Sequence, residues 1–108
     1  MKADAIRGHL DGLVLAVLEG RPLHGYGVVQ ALHVRSGGAL DVPTGTVYPA
    51  LHRLERSGLI SAKEHTVAGR RRRVYQLTAS GRRALNLERS SWQEFATVIT
   101  AMIQQAPS

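Results

Sequence analysis

The chain has 108 residues, a length that supports one domain with a modest core and is too short for two. Apolar residues make up 44% and charged residues 20%, which is ordinary for a folded globular protein and excludes wholesale disorder. The 14 lysines and arginines outnumber 8 acidic residues and give a net charge of +6, which indicates a polyanionic partner.

Several classes of protein are disfavoured by the sequence. Without cysteine there are no disulfides and no thiolate chemistry, as is typical of the cytoplasm. The longest apolar run covers residues 13–18, far too few to span a membrane, and the N-terminus has no signal-peptide pattern. Nucleophile motifs and phosphate-binding glycine loops are also missing. We therefore expect a cytoplasmic protein that is not an enzyme, has no membrane partner and needs no cofactor or metal.

Two helices and a short strand are predicted in the first part of the chain. Apolar residues recur at intervals of three and four over residues 5–19 and predict a first helix that ends at Gly20. Leu15 falls on its far side, where it would suit a second interface. A second helix is predicted from about residue 25 to residue 36, and residues 40–42 fit a very short strand.

The central segment is TGTVYPALHRLERSG, residues 44–58, which predicts an amphipathic helix with Thr44 at its N-cap. At 100° per residue, one narrow stripe is apolar and predicts a core contact: Val47, Ala50, Leu51 and Leu54. The opposite side carries small, aromatic and basic groups: Gly45, Thr46, Tyr48, Pro49, His52, Arg53 and Arg56. Pro49 removes one backbone donor, so the sequence accepts a local penalty there.

A basic hairpin is predicted after the central helix. Residues 59–65 and 72–77 fit two strands with the tip marked by Gly69, and four consecutive arginines, Arg70 to Arg73, lie beside it. Alternation along a strand sends the first and third arginines to one face, and the second and fourth to the other. The second face is the inner one, because it also carries Tyr75 and Leu77. Three helices followed by such a hairpin predict a winged helix-turn-helix, mainly α with a small β-hairpin wing.

A long final helix is predicted over residues 79–105, capped by Thr78. Its apolar positions follow a spacing of three and four that is interrupted by Glu88: Leu85, Trp92, Phe95, Ile99 and Met102. So small a domain has little core left to bury this seam, and a second copy of the chain would supply the missing surface. We therefore expect a homodimer in which residues 1–77 form a DNA-binding unit and residues 78–108 a dimerisation helix, together one compact unit.

Three ordered motifs now identify a resemblance. The segments LHGYGVVQAL, TGTVYPALHRLERSGLI and AGRRRRVYQLTASGRRAL resemble the PadR family of winged-helix transcriptional regulators over about residues 13–85. The single C-terminal helix with Trp92 resembles the shorter subfamily, whose members are homodimeric repressors. The resemblance implies that Trp92 and its symmetry mate flank a cavity for a planar, apolar effector that weakens DNA binding, with Leu15 and Phe95 as further candidates for its lining.

The expected partner is double-stranded DNA with an inverted-repeat operator. A recognition helix places its N-terminal residues nearest the base edges, so the candidate base readers are Thr44, Gly45, Thr46, Tyr48 and Pro49. His52 and Arg53 are candidate phosphate contacts, although Arg53 could instead pair with an acid such as Glu55 or Glu64. In the wing, the candidate DNA contacts nearest the tip are Arg70, Arg71 and Arg72.

Two other functions remain open from the sequence. A winged helix used only for protein contacts is one, since a fold does not fix a function, but four consecutive arginines favour DNA. A metal-responsive regulator is the other, because the chain has five histidines. None of these histidines has HxH or HxxxH spacing, so a dedicated metal site is the weaker hypothesis. Repression and activation are both compatible with the sequence.

Overall fold

The computed structural model describes residues 6–107, which form four helices and a three-stranded antiparallel sheet. In chain order the elements are α1 (Leu10–Glu19), β1 (Leu23–His24), α2 (Gly25–Arg35), α3 (Thr44–Arg56), β2 (Ile60–Val67), β3 (Arg70–Leu77) and α4 (Ala79–Gln104). The predicted fold class, a mainly α winged helix-turn-helix with a small β-hairpin wing, is confirmed.

The core is organised around the apolar stripe of α3. Val47, Ala50 and Leu51 are fully buried and Leu54 is 3% exposed, so the predicted stripe is confirmed. Around it pack buried side chains from α1, α2, β2 and β3, among them Val14, Leu18, Val28, Leu32, Ile60 and Tyr75. Because one narrow face of α3 meets this core, its opposite face is left to solvent.

The sheet has β3 at its centre, with β1 on one side and β2 on the other. β2 ends at Val67 and β3 begins at Arg70, so the hairpin turn has only two residues, Ala68 and Gly69. Both have left-handed φ angles, 51° and 76°, as a type I′ turn requires. The strands are therefore longer at the tip than predicted. β1 was not predicted, because two residues are too few to show an alternating pattern.

The beginnings of α1 and α3 differ from the prediction. α1 begins at Leu10 and not near residue 5, since Gly8 has a left-handed φ of 89° that interrupts a continuous helix. The start predicted at residue 5 lies outside the described residues. α3 begins at Thr44, but the N-cap position belongs to Pro43, whose carbonyl accepts from the N–H groups of Thr46 and Val47. The assignment of Thr44 as a capping residue was therefore wrong.

The strand predicted over residues 40–42 is absent. Leu40 and Val42 are nonetheless buried, 8% and 3% exposed. The backbone N–H of Leu40 donates to Ser36 Oγ at 2.8 Å, and its carbonyl lies 3.3 Å from His33 Nδ1. Side-chain partners thus satisfy this backbone in place of a neighbouring strand.

The last helix is anchored at its first turn. Thr78 Oγ1 accepts from the N–H of Gly81 at 3.0 Å, which confirms the predicted cap, and donates to the Gly58 carbonyl at 2.6 Å. Leu85 is 2% exposed and belongs to the core of its own chain. Its assignment to a dimer interface was therefore wrong, because the first part of α4 packs on the winged helix, with contacts to Glu19 and His9 that extend as far as Arg89 and Trp92.

Candidate nucleic-acid interface

The exposed side of α3 carries the predicted base readers on one surface. Thr44, Gly45, Tyr48 and Pro49 are exposed and Thr46 is half-buried, all away from the apolar stripe. The helix continues through Pro49 to Arg56. The five candidate readers thus lie on the solvent-facing side of the N-terminal half of α3.

Gly25 and Gly45 lie near this surface and differ in the space that an added side chain would find. A Cβ at Gly25, the first residue of α2, would lie 2.2 Å from Tyr48 Cε1, so the tyrosine ring rests directly against the start of α2. A Cβ at Gly45 would meet no atom of residues 6–107 within 4 Å. Packing against Tyr48 therefore explains glycine at position 25, whereas no contact with residues 6–107 explains glycine at position 45.

The register of the hairpin separates the charges of the wing onto two faces. Directly paired residues share a face, and the pairs include His65 with Arg72, Glu64 with Arg73, Thr66 with Arg71 and Val67 with Arg70. Tyr75 and Leu77 are 3% and 8% exposed, which confirms the predicted inner face. In the described part of β2 and β3, the acid Glu64 lies on the inner face, and the outer face carries only cationic and neutral groups.

The two inner arginines of the wing are paired with acids. Arg73 Nη2 donates to Glu55 of α3, and this hydrogen bond raises the pKa of Arg73. Arg71 Nη1 lies 3.7 Å from Glu64 Oε2 and forms an ion pair with it. Because the first pair joins β3 to α3, it fixes the wing relative to α3.

The outer arginines are less constrained. Arg72 Nη1 lies 3.3 Å from His24 Nε2, and the side chain of Arg70 makes no hydrogen bond or ion pair with residues 6–107 in the structure. Both side chains are exposed. Of the three candidate wing contacts, Arg70 and Arg72 are therefore the more available, and Arg71 is partly neutralised.

Arg53 is paired, but not with the acids considered from the sequence. Its Nη2 donates to Asp11 Oδ1 of α1 at 2.8 Å, so the alternative that Arg53 pairs with an acid is confirmed, although the acid is neither Glu55 nor Glu64. The sequence could not show this pair, because α1 and α3 are neighbours only in the folded chain. His52 is exposed on the same side of α3 as Gly45, seven residues earlier.

A small concavity joins α3 to the wing. It has a volume of about 210 Å³ and is lined by His24, Gly25, Tyr26, Tyr48, Arg72, Arg73 and Tyr75. Tyr48 and Arg72, predicted independently, are thus brought to one site. His24 and Tyr26 were not among the predicted site residues, although both stand in the HGYG motif.

The outer part of α4 presents an apolar seam. Trp92, Phe95 and Met102 are more than half exposed and Ile99 is 38% exposed. The rings of Trp92 and Phe95 are 5.5 Å apart, and the His9 ring meets Trp92 edge-on at 5.4 Å. Leu15, by contrast, is 3% exposed, so its predicted place on the far side of α1 was wrong and it offers no surface to a ligand.

Metal-binding and membrane-spanning features are both absent from residues 6–107. No group of three or more histidine and acidic side chains is arranged to hold a metal ion in this part of the chain. None of the described helices combines the length and the apolar character that crossing a membrane requires.

Comparison with known proteins agrees with this geometry. Transcriptional regulator Rv3488 of Mycobacterium tuberculosis is 43% identical over 74 residues, which cover 68% of this chain and 66% of that protein. A transcriptional regulator from Clostridium thermocellum has 25% identity and a TM-score of 0.84, covering 94% of this chain and 99% of its own. A PadR family transcription regulator from Clostridium difficile R20291 has 28% identity and a TM-score of 0.79, covering 89% and 99%.

The family assignment follows from the match to a family profile. Residues 14–87 match the transcriptional regulator PadR-like family, in the region that contains α2, α3 and the wing. Its members are regulators and not enzymes, in agreement with the expectation from the sequence. This chain belongs to the PadR-like family of transcriptional regulators.

Proposed function

We propose that this chain is a homodimeric repressor that binds an inverted-repeat DNA operator and is released by a planar, apolar effector. In this proposal residues 1–77 bind DNA and residues 78–108 form the dimerisation helix. The readers are Thr44, Gly45, Thr46, Tyr48 and Pro49, and the observation that carries the proposal is Gly45 among them. Glycine in a helix costs roughly 0.5–1 kcal/mol relative to alanine. Since its Cβ would meet no atom of residues 6–107 within 4 Å, this part of the chain gains nothing from this cost.

Close approach of DNA to the backbone of α3 would explain why glycine is present at position 45. The first turn of a recognition helix is the part that enters the major groove. We therefore expect Gly45→Ala to raise the melting temperature while lowering affinity for the operator. A variant that is both more stable and equally able to bind DNA would remove the main support for the proposal.

The outer face of the wing supports contact with the phosphate backbone. Replacing Arg70 or Arg72 with alanine should weaken binding to every sequence and lower the salt slope by roughly one unit for each phosphate that is no longer neutralised. Arg83→Ala is a matched control, because this exposed arginine of α4 donates to Ser80 at 3.0 Å and is not part of the wing. Equal slopes for the Arg70, Arg72 and Arg83 variants would contradict a role of the wing.

The apolar seam of α4 supports dimerisation. Large apolar side chains continue along the outer half of this helix, and Val98 and Ile103 are also exposed, 52% and 77%. A second copy would bury this seam in the most common arrangement of soluble oligomers, a twofold dimer. Two heads would then reach half-sites roughly 34–36 Å apart, if these lie one helical turn apart. The double variant Phe95→Glu, Ile99→Glu should be monomeric by light scattering and should bind the operator weakly.

The aromatic pair on α4 supports an effector site. Trp92 and Phe95 offer apolar ring faces, and half of the tryptophan side chain is exposed. A planar compound stacking there should change tryptophan emission and lower operator affinity together. Trp92 is the one tryptophan in the chain, so emission reports this position alone. Unchanged emission and affinity across a panel of planar compounds would leave Trp92 with a structural role only.

The operator itself is accessible to a direct experiment. Selection of bound duplexes from a random DNA pool should return an inverted repeat, and repeating it with candidate effectors should reduce the recovered fraction. Recovery of no common sequence, with binding that does not fall as salt rises, would refute sequence-specific recognition.

A further inference from the structure

The guanidinium of Arg53, on α3, forms an ion pair with a residue of α1. Arg53 lies seven residues after Thr46, and two such positions share one side of a helix. Its guanidinium nevertheless points to Asp11 in the first turn of α1, at 2.8 Å. Both side chains are about half exposed, 55% and 49%, so the pair is formed at the surface and not in the core.

The surroundings of this pair place it beside the candidate base readers. A surface concavity of about 370 Å³ is bordered by Arg7, Asp11, Thr46 and Arg53, among others. A duplex that contacts Thr46 therefore passes close to the pair. The carboxylate neutralises the guanidinium and also repels phosphate, so it opposes an electrostatic contact at a position otherwise suited to one.

The ion pair between Arg53 and Asp11 is expected to contribute little to the stability of the fold and more to the affinity for DNA. Exposed ion pairs stabilise proteins by only about 0–1 kcal/mol. A phosphate contact, in contrast, adds about 0.9 to the salt slope of binding, which makes the affinity difference between about 50 and 200 mM salt some 3.5-fold larger. The main effect of Asp11 is thus expected in DNA binding.

We infer that Asp11 is a positioning residue that holds Arg53 away from the phosphate backbone and so limits sequence-independent DNA affinity. This inference rests on the proposed DNA-binding function. A limit on sequence-independent affinity favours binding to the operator, because non-specific sites in a genome greatly outnumber operators and compete for the protein. A regulator with net charge +6 gains most from such a restraint, because every additional free cation strengthens binding to all sequences.

The test measures affinity for a random-sequence duplex as a function of salt. Asp11→Asn should steepen the salt slope by about 0.9 and raise the affinity at low salt several-fold. Glu94→Gln is the matched control for net charge, because Glu94 is exposed on α4 and forms no ion pair with residues 6–107. Its salt slope should equal that of the wild type.

A double-mutant cycle separates release of Arg53 from simple loss of a negative charge. In an Arg53→Gln background, Asp11→Asn should leave the slope unchanged, because there is no guanidinium to release. An equal gain with and without Arg53 would overturn the inference.

Asp11 could alternatively act only on α1, since an acid in the first turn favours a helix N-terminus. In that case Asp11→Asn would lower the melting temperature without changing the slope, and the inference would be wrong. Asp11→Ser, which keeps a short polar side chain, should reproduce the slope of Asp11→Asn if both fold. Failure of the wild type to bind any duplex would refute the proposed function as well, whereas an unchanged slope with intact wild-type binding refutes this inference alone.

Discussion

Gly81 lies at the junction between α4 and the winged helix, and its replacement by alanine tests how rigidly the two are joined. The added Cβ would lie 2.0 Å from the carbonyl oxygen of Leu59 and 3.4 Å from Leu77 Cδ2. That carbonyl is held in place, because it accepts from the N–H of Thr78 at 3.2 Å. Real Cβ contacts are essentially never below 3.0 Å, so the backbone has to shift by about 1 Å.

The expected magnitude is the difference between two opposing effects. Forcing extra volume into a packed site costs about 1–3 kcal/mol, and a backbone obstacle belongs to the upper part of this range. Alanine in place of glycine in a helix contributes about 0.5–1 kcal/mol in the opposite direction. We therefore expect a net loss of roughly 2 kcal/mol, which for a domain of this size lowers the melting temperature by about 8–16 °C.

Thermal unfolding followed by circular dichroism measures this loss, at one fixed protein concentration because a dimer would make the melting temperature depend on it. Gly20→Ala is the matched control. Gly20 follows α1 with φ −75°, and no atom of residues 6–107 lies within 4 Å of an added Cβ, so its variant should melt at or above the wild-type temperature. If Gly81→Ala melts as high as Gly20→Ala, α4 moves freely at its start and the rigid junction inferred from the Leu59 carbonyl is refuted.

Three other substitutions have definite expected outcomes. Thr78→Ala removes the cap of α4 and the bond to the Gly58 carbonyl, and should lower the free energy of unfolding by about 1–2 kcal/mol in a urea titration, whereas Thr78→Ser should retain most of it. Ala68→Gly should raise stability by roughly 0.5 kcal/mol, since the hairpin turn holds this alanine at φ 51°; a loss would show that the turn is unstrained. The hydrogen bond from Arg89 lowers the pKa of Glu19 below its ordinary 4.5, so the pair stabilises the fold above that pH and loses its effect as pH falls through the lowered pKa. The melting temperatures of wild type and Glu19→Gln should therefore differ at about pH 7 and converge as the pH falls well below 4.5, and a constant difference would contradict the assignment.

Helix α3 shows which features can be predicted from the sequence alone. Its buried stripe, its exposed face and its position before a basic hairpin follow from local periodicity, because spacing along the chain fixes which side chains share a face. The cap by Thr78 and the inner face marked by Tyr75 and Leu77 were predictable for the same reason. These features depend only on residues close together in sequence.

The partners of the charged residues could not be predicted in this way. Arg53 and Asp11 are 42 positions apart, and Glu55 and Arg73 are 18 apart, so only the packing of α1, α3 and β3 decides these pairs. The same holds for Leu85, whose place in a regular seam did not reveal that its own chain buries it.

The sequence by itself therefore determined the fold, the amphipathic helix α3 and the excess of positive charge, since these are properties of composition and of local spacing. Only the tertiary structure decided which of those charges are paired with acids. The outer arginines of the wing, Arg70 and Arg72, stay away from acids, whereas Arg53 and Arg73 are neutralised by carboxylates of other elements. The physical reason is that an ion pair depends on distance in space, and that distance is set by packing rather than by sequence order.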